Sequence, residues 1–293
     1  MKKTAILYII LAGIGWGTSG IFLKGLEAYG FTPMQTTTVR AIIAALGFAL
    51  YILLTDRKSF KVSAGELLLF ALGGAAIYGT AAFYFSSIEA SSASTAVVRM
   101  YTAPVIVMVV SVAFLGERFN LAKLVSVALV TVGCALVSGI IGGLKFSVFG
   151  IVLGLLAGIA YSSYNLITRI QMMKGMSSTS STLYGFAFMA VISLVVTSPA
   201  KTLDVAIKAI KASPSALALM LGIGVVTCIL PYLFYTLALK HLPAGTASSL
   251  AVVEPVAATL FSVFIFGERL DLTSVIGIIM ILSAVLILSR SKE

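Results

Sequence analysis

The chain has 293 residues, of which 60% are apolar, 10% aromatic and only 10% charged, and its mean hydropathy is +1.11. Soluble globular chains run about 45–50% apolar and about 25% charged. This composition therefore excludes an ordinary cytosolic enzyme, a disordered segment, a coiled coil and a disulfide scaffold, and makes lipid the solvent; the formal charge of +10 is accounted for below without nucleic acid.

A membrane-spanning helix needs about 20 mostly apolar residues, so the length has room for about ten. Apolar runs bounded by charge, Gly or Pro predict five over Thr4–Leu23, Pro33–Leu54, Gly65–Ser87, Ser94–Leu115 and Leu121–Ile141. Five more follow over Val148–Thr168, Ser178–Thr197, Pro214–Leu239, Thr246–Phe266 and Leu272–Leu288. The expected fold class is an all-α polytopic membrane protein with ten transmembrane helices. An outer-membrane barrel would alternate along short segments, whereas Ala41–Leu54 and Val275–Leu288 are apolar on every side.

Helix 1 opens on Met1-Lys2-Lys3, as a secretory signal does, but its apolar run continues past Gly15, so it reads as an uncleaved span. Its Gly15-Trp16-Gly17-Thr18-Ser19-Gly20 fits G-x-G-x-x-G. No strand precedes that string, so the glycines predict close helix packing rather than a dinucleotide site. Trp16, Thr18 and Ser19 are candidates to face a cavity, and Arg40, about two turns into helix 2, reads as a structural tie. Tyr78 and Tyr84 follow on helix 3, then Arg99, Tyr101 and Pro104 on helix 4. Tyr161, Tyr164 and Asn165 belong to helix 6, Tyr232 and Tyr235 to helix 8, and Glu254 and Pro255 to helix 9. Hydroxyls this deep need partners, which either a wet cavity or a neighbouring helix supplies. Cys134 and Cys228 sit in apolar runs and read as small hydrophobes.

Orientation follows from the basic residues. With a cytoplasmic N-terminus, twelve fall on inner segments: Lys2, Lys3, Arg57, Lys58, Lys61, Arg118, Lys123, Arg169, Lys174, Lys240, Arg290 and Lys292. Six fall outside: Lys24, Lys145, Lys201, Lys208, Lys211 and Arg269. Both termini are expected in the cytoplasm.

An internal repeat is the most informative pattern. Phe83-Tyr84, Thr95-Ala96, Pro104 and Gly116-Glu117-Arg118 match Phe234-Tyr235, Thr246-Ala247, Pro255 and Gly267-Glu268-Arg269 at one constant offset. Leu11-Ala12-Gly13-Ile14 also resembles Leu156-Ala157-Gly158-Ile159. The chain thus divides into five-helix repeats over 1–143 and 144–293, and because five is odd the second must enter the bilayer upside down. Inverted repeats of this kind enclose solute sites near mid-membrane in secondary transporters. Gly116 and Gly267 suit left-handed helix ends, Asn120 and Asp271 suit N-caps, and Pro104 and Pro255 are candidate kinks or hinges beside a cavity.

Ionisable residues inside a span are costly and mark polar pathways. Arg99 and Glu254 have Leu250 and Ala103 as repeat counterparts, so the duplicated scaffold requires neither charge. Arg99 is the candidate for a substrate's anionic group, and Glu254 for an ammonium or a coupling proton. The structural alternative is a salt bridge between them. The candidate substrate-binding set is Trp16, Ser19, Tyr78, Tyr84, Arg99, Tyr101, Tyr161, Asn165, Tyr232 and Glu254. No G-x-x-x-x-G-K-[ST] motif is present, His241 is the only histidine, and no aspartate occupies a predicted span. No metal, cofactor or enzymatic activity is therefore expected.

The ten helices, the five-helix repeat, a Pro followed about a dozen residues later by Gly-Glu in each half, and Glu254-Pro255 together resemble the EamA-type family of the drug/metabolite transporter superfamily. The resemblance implies an inner-membrane secondary transporter, commonly an exporter of amino acids, metabolites or drugs. Amino acids or related zwitterions and carboxylates are the expected solutes; a cationic multidrug exporter and a channel-like facilitator are the alternatives. The small multidrug exporters depend on a glutamate in helix 1, which this chain lacks. The partners expected are a small solute and lipid, with no nucleic acid, and the carrier is expected as a monomer or weak homodimer.

Overall fold

The computed structural model describes residues 2–90, 100–138, 147–267 and 269–291, and every regular element among them is helical. The first half contains α1 (Lys2–Gly17), α2 (Ser19–Glu27), α3 (Pro33–Thr55), α4 (Ala64–Ala90), α5 (Ala103–Phe114) and α6 (Leu121–Val137). The second contains α7 (Val148–Met173), α8 (Ser178–Val196), α9 (Pro199–Ala212), α10 (Pro214–Gly224), α11 (Leu230–Ala238), α12 (Ala244–Leu250), α13 (Val253–Phe266) and α14 (Leu272–Arg290). Taking segments that continue one another together, eight helices among the described residues are long and apolar enough to cross a membrane. The stretches Ala103–Phe114 and Leu121–Val137 are shorter, and each adjoins residues outside the described set.

The helices start where side chains satisfy free backbone donors. Thr32 and Gln35 form a reciprocal capping box on α3, and Asn120, Ser147, Ser177 and Asp271 cap α6, α7, α8 and α14. Gly116 and Gly267 both have positive φ, at 66° and 67°, as the turn reading requires. Burial is the reverse of a soluble protein's. Leu54, Phe114, Val195 and Phe264 are 75–82% exposed, while Thr38, Gln171 and Ser180 are buried and bonded between helices. Large apolar side chains face outward because lipid surrounds them, and buried hydroxyls and amides bond one another or backbone carbonyls because lipid offers nothing.

The repeat is visible in the packing. Helix α1 packs on α11 and α13, while its counterpart α7 packs on α4 and α5. The fifth helix of each half meets the fifth of the other, α6 against α14. There Ser126 donates to the carbonyl of Ala284 at 3.3 Å. A Cβ on Gly133 would lie 2.9 Å from the carbonyl oxygen of Gly277, and one on Gly277 2.6 Å from that of Gly133. In repeat register Ser126 corresponds to Gly277 and Ala284 to Gly133, so these two contacts are one contact seen twice. As the number rises along α6 from 126 to 133, the partner falls along α14 from 284 to 277, and the two equivalent helices run antiparallel.

The run-based reading missed α9. Its outer lysines, Lys201, Lys208 and Lys211, share a surface helix with exposed Leu203, Ile207 and Ile210, while Ala206 and Ala209 pack inward. Basic and apolar exposure on one short helix is the composition of an interfacial segment.

A central chamber between the two halves

Four irregular turns interrupt or precede helical segments. Helix 1 is interrupted at Thr18, whose hydroxyl donates to the Gly15 carbonyl at 2.7 Å. Turns at Tyr101–Thr102 and Ala251–Val252 precede α5 and α13, and a π-helical turn at Val225–Ile229 precedes α11. Pro104 and Pro255, the candidate kinks or hinges, each follow a turn. Each stands in the first turn of the segment after a break, where an N–H would have no intrahelical acceptor anyway. Broken helices at membrane depth are tolerated where the backbone is buried in protein or faces a water-filled cavity.

Residues at or beside the Thr18, Tyr101–Thr102 and Ala251–Val252 turns, among them Gly17, Ser19, Tyr101 and Glu254, line a chamber of about 420 Å³. Both halves build it: Trp16, Ser19, Arg40, Tyr84, Tyr101 and Ser138 come from the first, and Tyr161, Tyr232, Glu254 and Thr259 from the second. Trp16 packs edge-on against Tyr232 with ring centroids 5.2 Å apart. Glu254 lies in the first turn of α13, where the helix dipole favours a negative group, and the Tyr101 hydroxyl is its hydrogen-bond partner. Helix 1 reaches this depth because Gly17 has no side chain; a Cβ there would sit 2.7 Å from that of Ala257.

Of the predicted binding residues, the structure brings Trp16, Ser19, Tyr84, Tyr101, Tyr161, Tyr232 and Glu254 to this wall. It places two elsewhere. Asn165 is fully buried behind the wall, donating to the Tyr161 carbonyl at 2.6 Å and accepting from the Tyr235 hydroxyl. Tyr78 packs against the main core beside the chamber. Arg99 lies outside the described residues. Sequence reasoning missed Arg40, Thr80 and Cys134 as lining residues. For Arg40 the available signal was its charge at membrane depth, which was read as a tie between helices.

One end of the bundle is fastened. Lys2 donates to the Ser291 carbonyl at 2.6 Å, and Asn120 to the Ser291 hydroxyl at 3.2 Å, so both ends of the described chain meet there. At this end Glu117, only 5% exposed at its side chain, accepts the N–H of Ala244 and that of Gly245. Lys123 stands 3.9 Å away and Arg169 4.0 Å, and Arg169 also donates to the Leu239 carbonyl at 2.5 Å. The chamber lies toward the other end, reaching Leu23, Phe85 and Ser138.

Comparison with known proteins agrees with this architecture. The EamA-like transporter family model matches the chain twice, over residues 3–139 and 148–290. The chain is 26% identical over 289 residues to the uncharacterized transporter YwfM of Bacillus subtilis, covering 98% of this chain and 94% of that one. It is also 26% identical to an uncharacterized transporter of Archaeoglobus fulgidus, over 96% and 95% of the two chains. A crystal structure shares the fold with a TM-score of 0.82 at 16% identity, covering 98% of this chain and 96% of the other.

Proposed function

The chain belongs to the EamA-like transporter family of the drug/metabolite transporter superfamily, and from that premise we propose that it is a secondary carrier exporting small metabolites by alternating access. Amino acids and related zwitterions or carboxylates are the proposed solutes. The observation that carries this reading is the chamber between the halves, which among the described residues combines one guanidinium, one carboxyl and four tyrosines in an otherwise largely apolar wall. Small-molecule pockets are typically about 300–1,000 Å³ and apolar, with a few placed polar groups.

The antiparallel α6 and α14 support two five-helix halves, ten spans in all, related by an axis in the membrane plane. Rocking of such halves exposes a central site to each side in turn. In this structure the Glu117 cluster fastens one end while the chamber extends toward the other. Repeat register pairs Glu117 with Glu268 and Arg169 with Lys24. The excess of basic residues at the Glu117 end supports a cytoplasmic position for that end and for both termini, with the carrier in the inner membrane. Glu254 is the proposed proton-coupling group.

Purified protein in liposomes tests the reading. A carrier shows saturable counterflow, in which an unlabelled solute on one side accelerates labelled solute from the other. Flux that is neither saturable nor trans-stimulated would mean a channel, and the alternating-access proposal would be abandoned.

A further inference from the structure

Arg40 stands in the chamber wall with Glu254, and its charge acts on that carboxyl without an ion pair forming between them. Among the described residues the ion pairs are those of Glu117 with Lys123 and Arg169, and of Asp204 with Lys208; Arg40 joins none of them. Its Nε is buried without a hydrogen-bond acceptor, and so is Nε1 of Trp16 in the same wall. Guanidinium and indole groups only donate, and a guanidinium does not shed its proton to escape burial. The carboxyl among the described lining residues, Glu254, has the Tyr101 hydroxyl as its hydrogen-bond partner and meets Arg40 only through its charge, which leaves the Arg40 Nε without an acceptor. At the offset relating Leu11–Ile14 to Leu156–Ile159, Arg40 corresponds to Gly185, so the duplicated scaffold has no need of a charge here. Two buried donors of the wall, Arg40 Nε and Trp16 Nε1, are therefore left for an acceptor-rich group to meet.

We infer that Arg40 is a specificity-determining residue of the chamber, receiving the carboxylate of the transported solute, with the Trp16 N–H as a second donor. This rests on the carrier reading above. The planar guanidinium fork matches a carboxylate with two parallel hydrogen bonds, which a point charge such as lysine does not reproduce. The aromatic and aliphatic remainder of the wall takes the solute's body.

The test measures binding to the purified full chain in detergent by calorimetry, using probes that differ only in head group. Carboxylate, amino acid, primary amide and primary amine are each presented on a methyl, an isobutyl and a benzyl body. On the best-fitting body, carboxylate or amino acid binds at least tenfold more tightly than amide in the parent protein. Arg40→Gln brings them down to the amide's affinity and leaves that affinity unchanged, and Arg40→Lys falls between. An arginine that merely ties helices would weaken all head groups alike.

Equal carboxylate preference in folded Arg40→Gln overturns the inference, and so does a parent protein that favours carboxylate over amide on none of the bodies. That second comparison needs no variant, so a misfolded substitution does not shield the idea. Carboxylate-selective binding, lost in Arg40→Gln but without counterflow in liposomes, upholds the Arg40 site while removing the carrier reading.

Discussion

The carboxylate of Glu117, in the first half, accepts the backbone N–H of Ala244 in the second, across 127 residues of sequence. Because Lys123 and Arg169 flank it and little water reaches it, this contact joins the halves at the end away from the chamber. Removing one partner of a buried ion pair typically costs about 3–5 kcal/mol, since the other charge is left uncompensated. Glu117→Gln is expected to lower thermal stability by about that order and to loosen this end. The check is a cysteine placed at Ser249 in a protein whose native cysteines are replaced by serine. A membrane-impermeant thiol reagent added from the Glu117 side should label it faster in the Glu117→Gln background. Unchanged labelling would show that the cluster does not hold this end closed.

Glu254 is the carboxyl lining the chamber. If it carries the coupling proton, export by the parent protein accelerates when the receiving side is made acidic, and the rate varies over pH 5.5–8. Glu254→Gln should give a rate independent of the gradient. A flat profile in the parent protein removes proton exchange from the mechanism.

Gly277 faces the backbone of α6, with the Gly133 oxygen 2.6 Å from where a Cβ would stand. A rigid backbone neighbour cannot move aside as a side-chain tip does, and overpacking typically costs about 1–3 kcal/mol. Gly277→Val should lower the melting temperature and separate α6 from α14. Gly65, with open space around its Cβ position, is the comparison: Gly65→Ala should be neutral or slightly stabilising.

Asn165 is expected to act as a support for the wall. Tyr235→Phe removes the hydroxyl that Asn165 accepts, leaving a buried acceptor unsatisfied at about 1–3 kcal/mol. Stability should fall while solute affinity stays within a few-fold. A large affinity loss with stability intact would return Asn165 and Tyr235 to the binding site.

Asp271 caps α14 through the Ser274 N–H at 2.7 Å and accepts from the Thr273 hydroxyl at 2.9 Å. Hydrogen bonds from the Ser274 side chain and backbone, then from Thr273, hold its carboxyl below the usual aspartate value. A depressed folded-state value means that the contribution to stability is present above the unfolded value and is lost as pH falls through the folded one. Asp271→Ala should therefore melt below the parent at pH 7, with the difference shrinking under about pH 4. A pH-independent difference would mean that the cap does not depend on the charge.

Much of the fold was legible along the chain. Lipid imposes length and polarity on each span, and duplication left Gly116 and Gly267, Asn120 and Asp271, and Pro104 and Pro255 in register. The seven binding candidates that reach the wall are polar or aromatic residues deep in their helices, where hydroxyls and rings stand out against an apolar background. Arg40 and Asn165 mark the limit of that reading. Depth in a helix is readable from the sequence, but helical rotation is not. Arg40 turns toward the chamber and Asn165 toward the back of Tyr235 only because of the neighbours each helix meets. The surface helix α9 was invisible to a search for apolar runs, since lysines interrupt it.

The linear order of residues was enough to establish lipid as the surroundings, two related halves and the places where many helices start, because solvent quality and backbone capping act locally. Which side chains share the chamber, and which end is fastened, were decided only by the three-dimensional packing. Glycine contacts such as Gly133 with Gly277 and Gly17 with Ala257 set how closely helices approach and how they rotate. Those contacts join residues far apart in the chain.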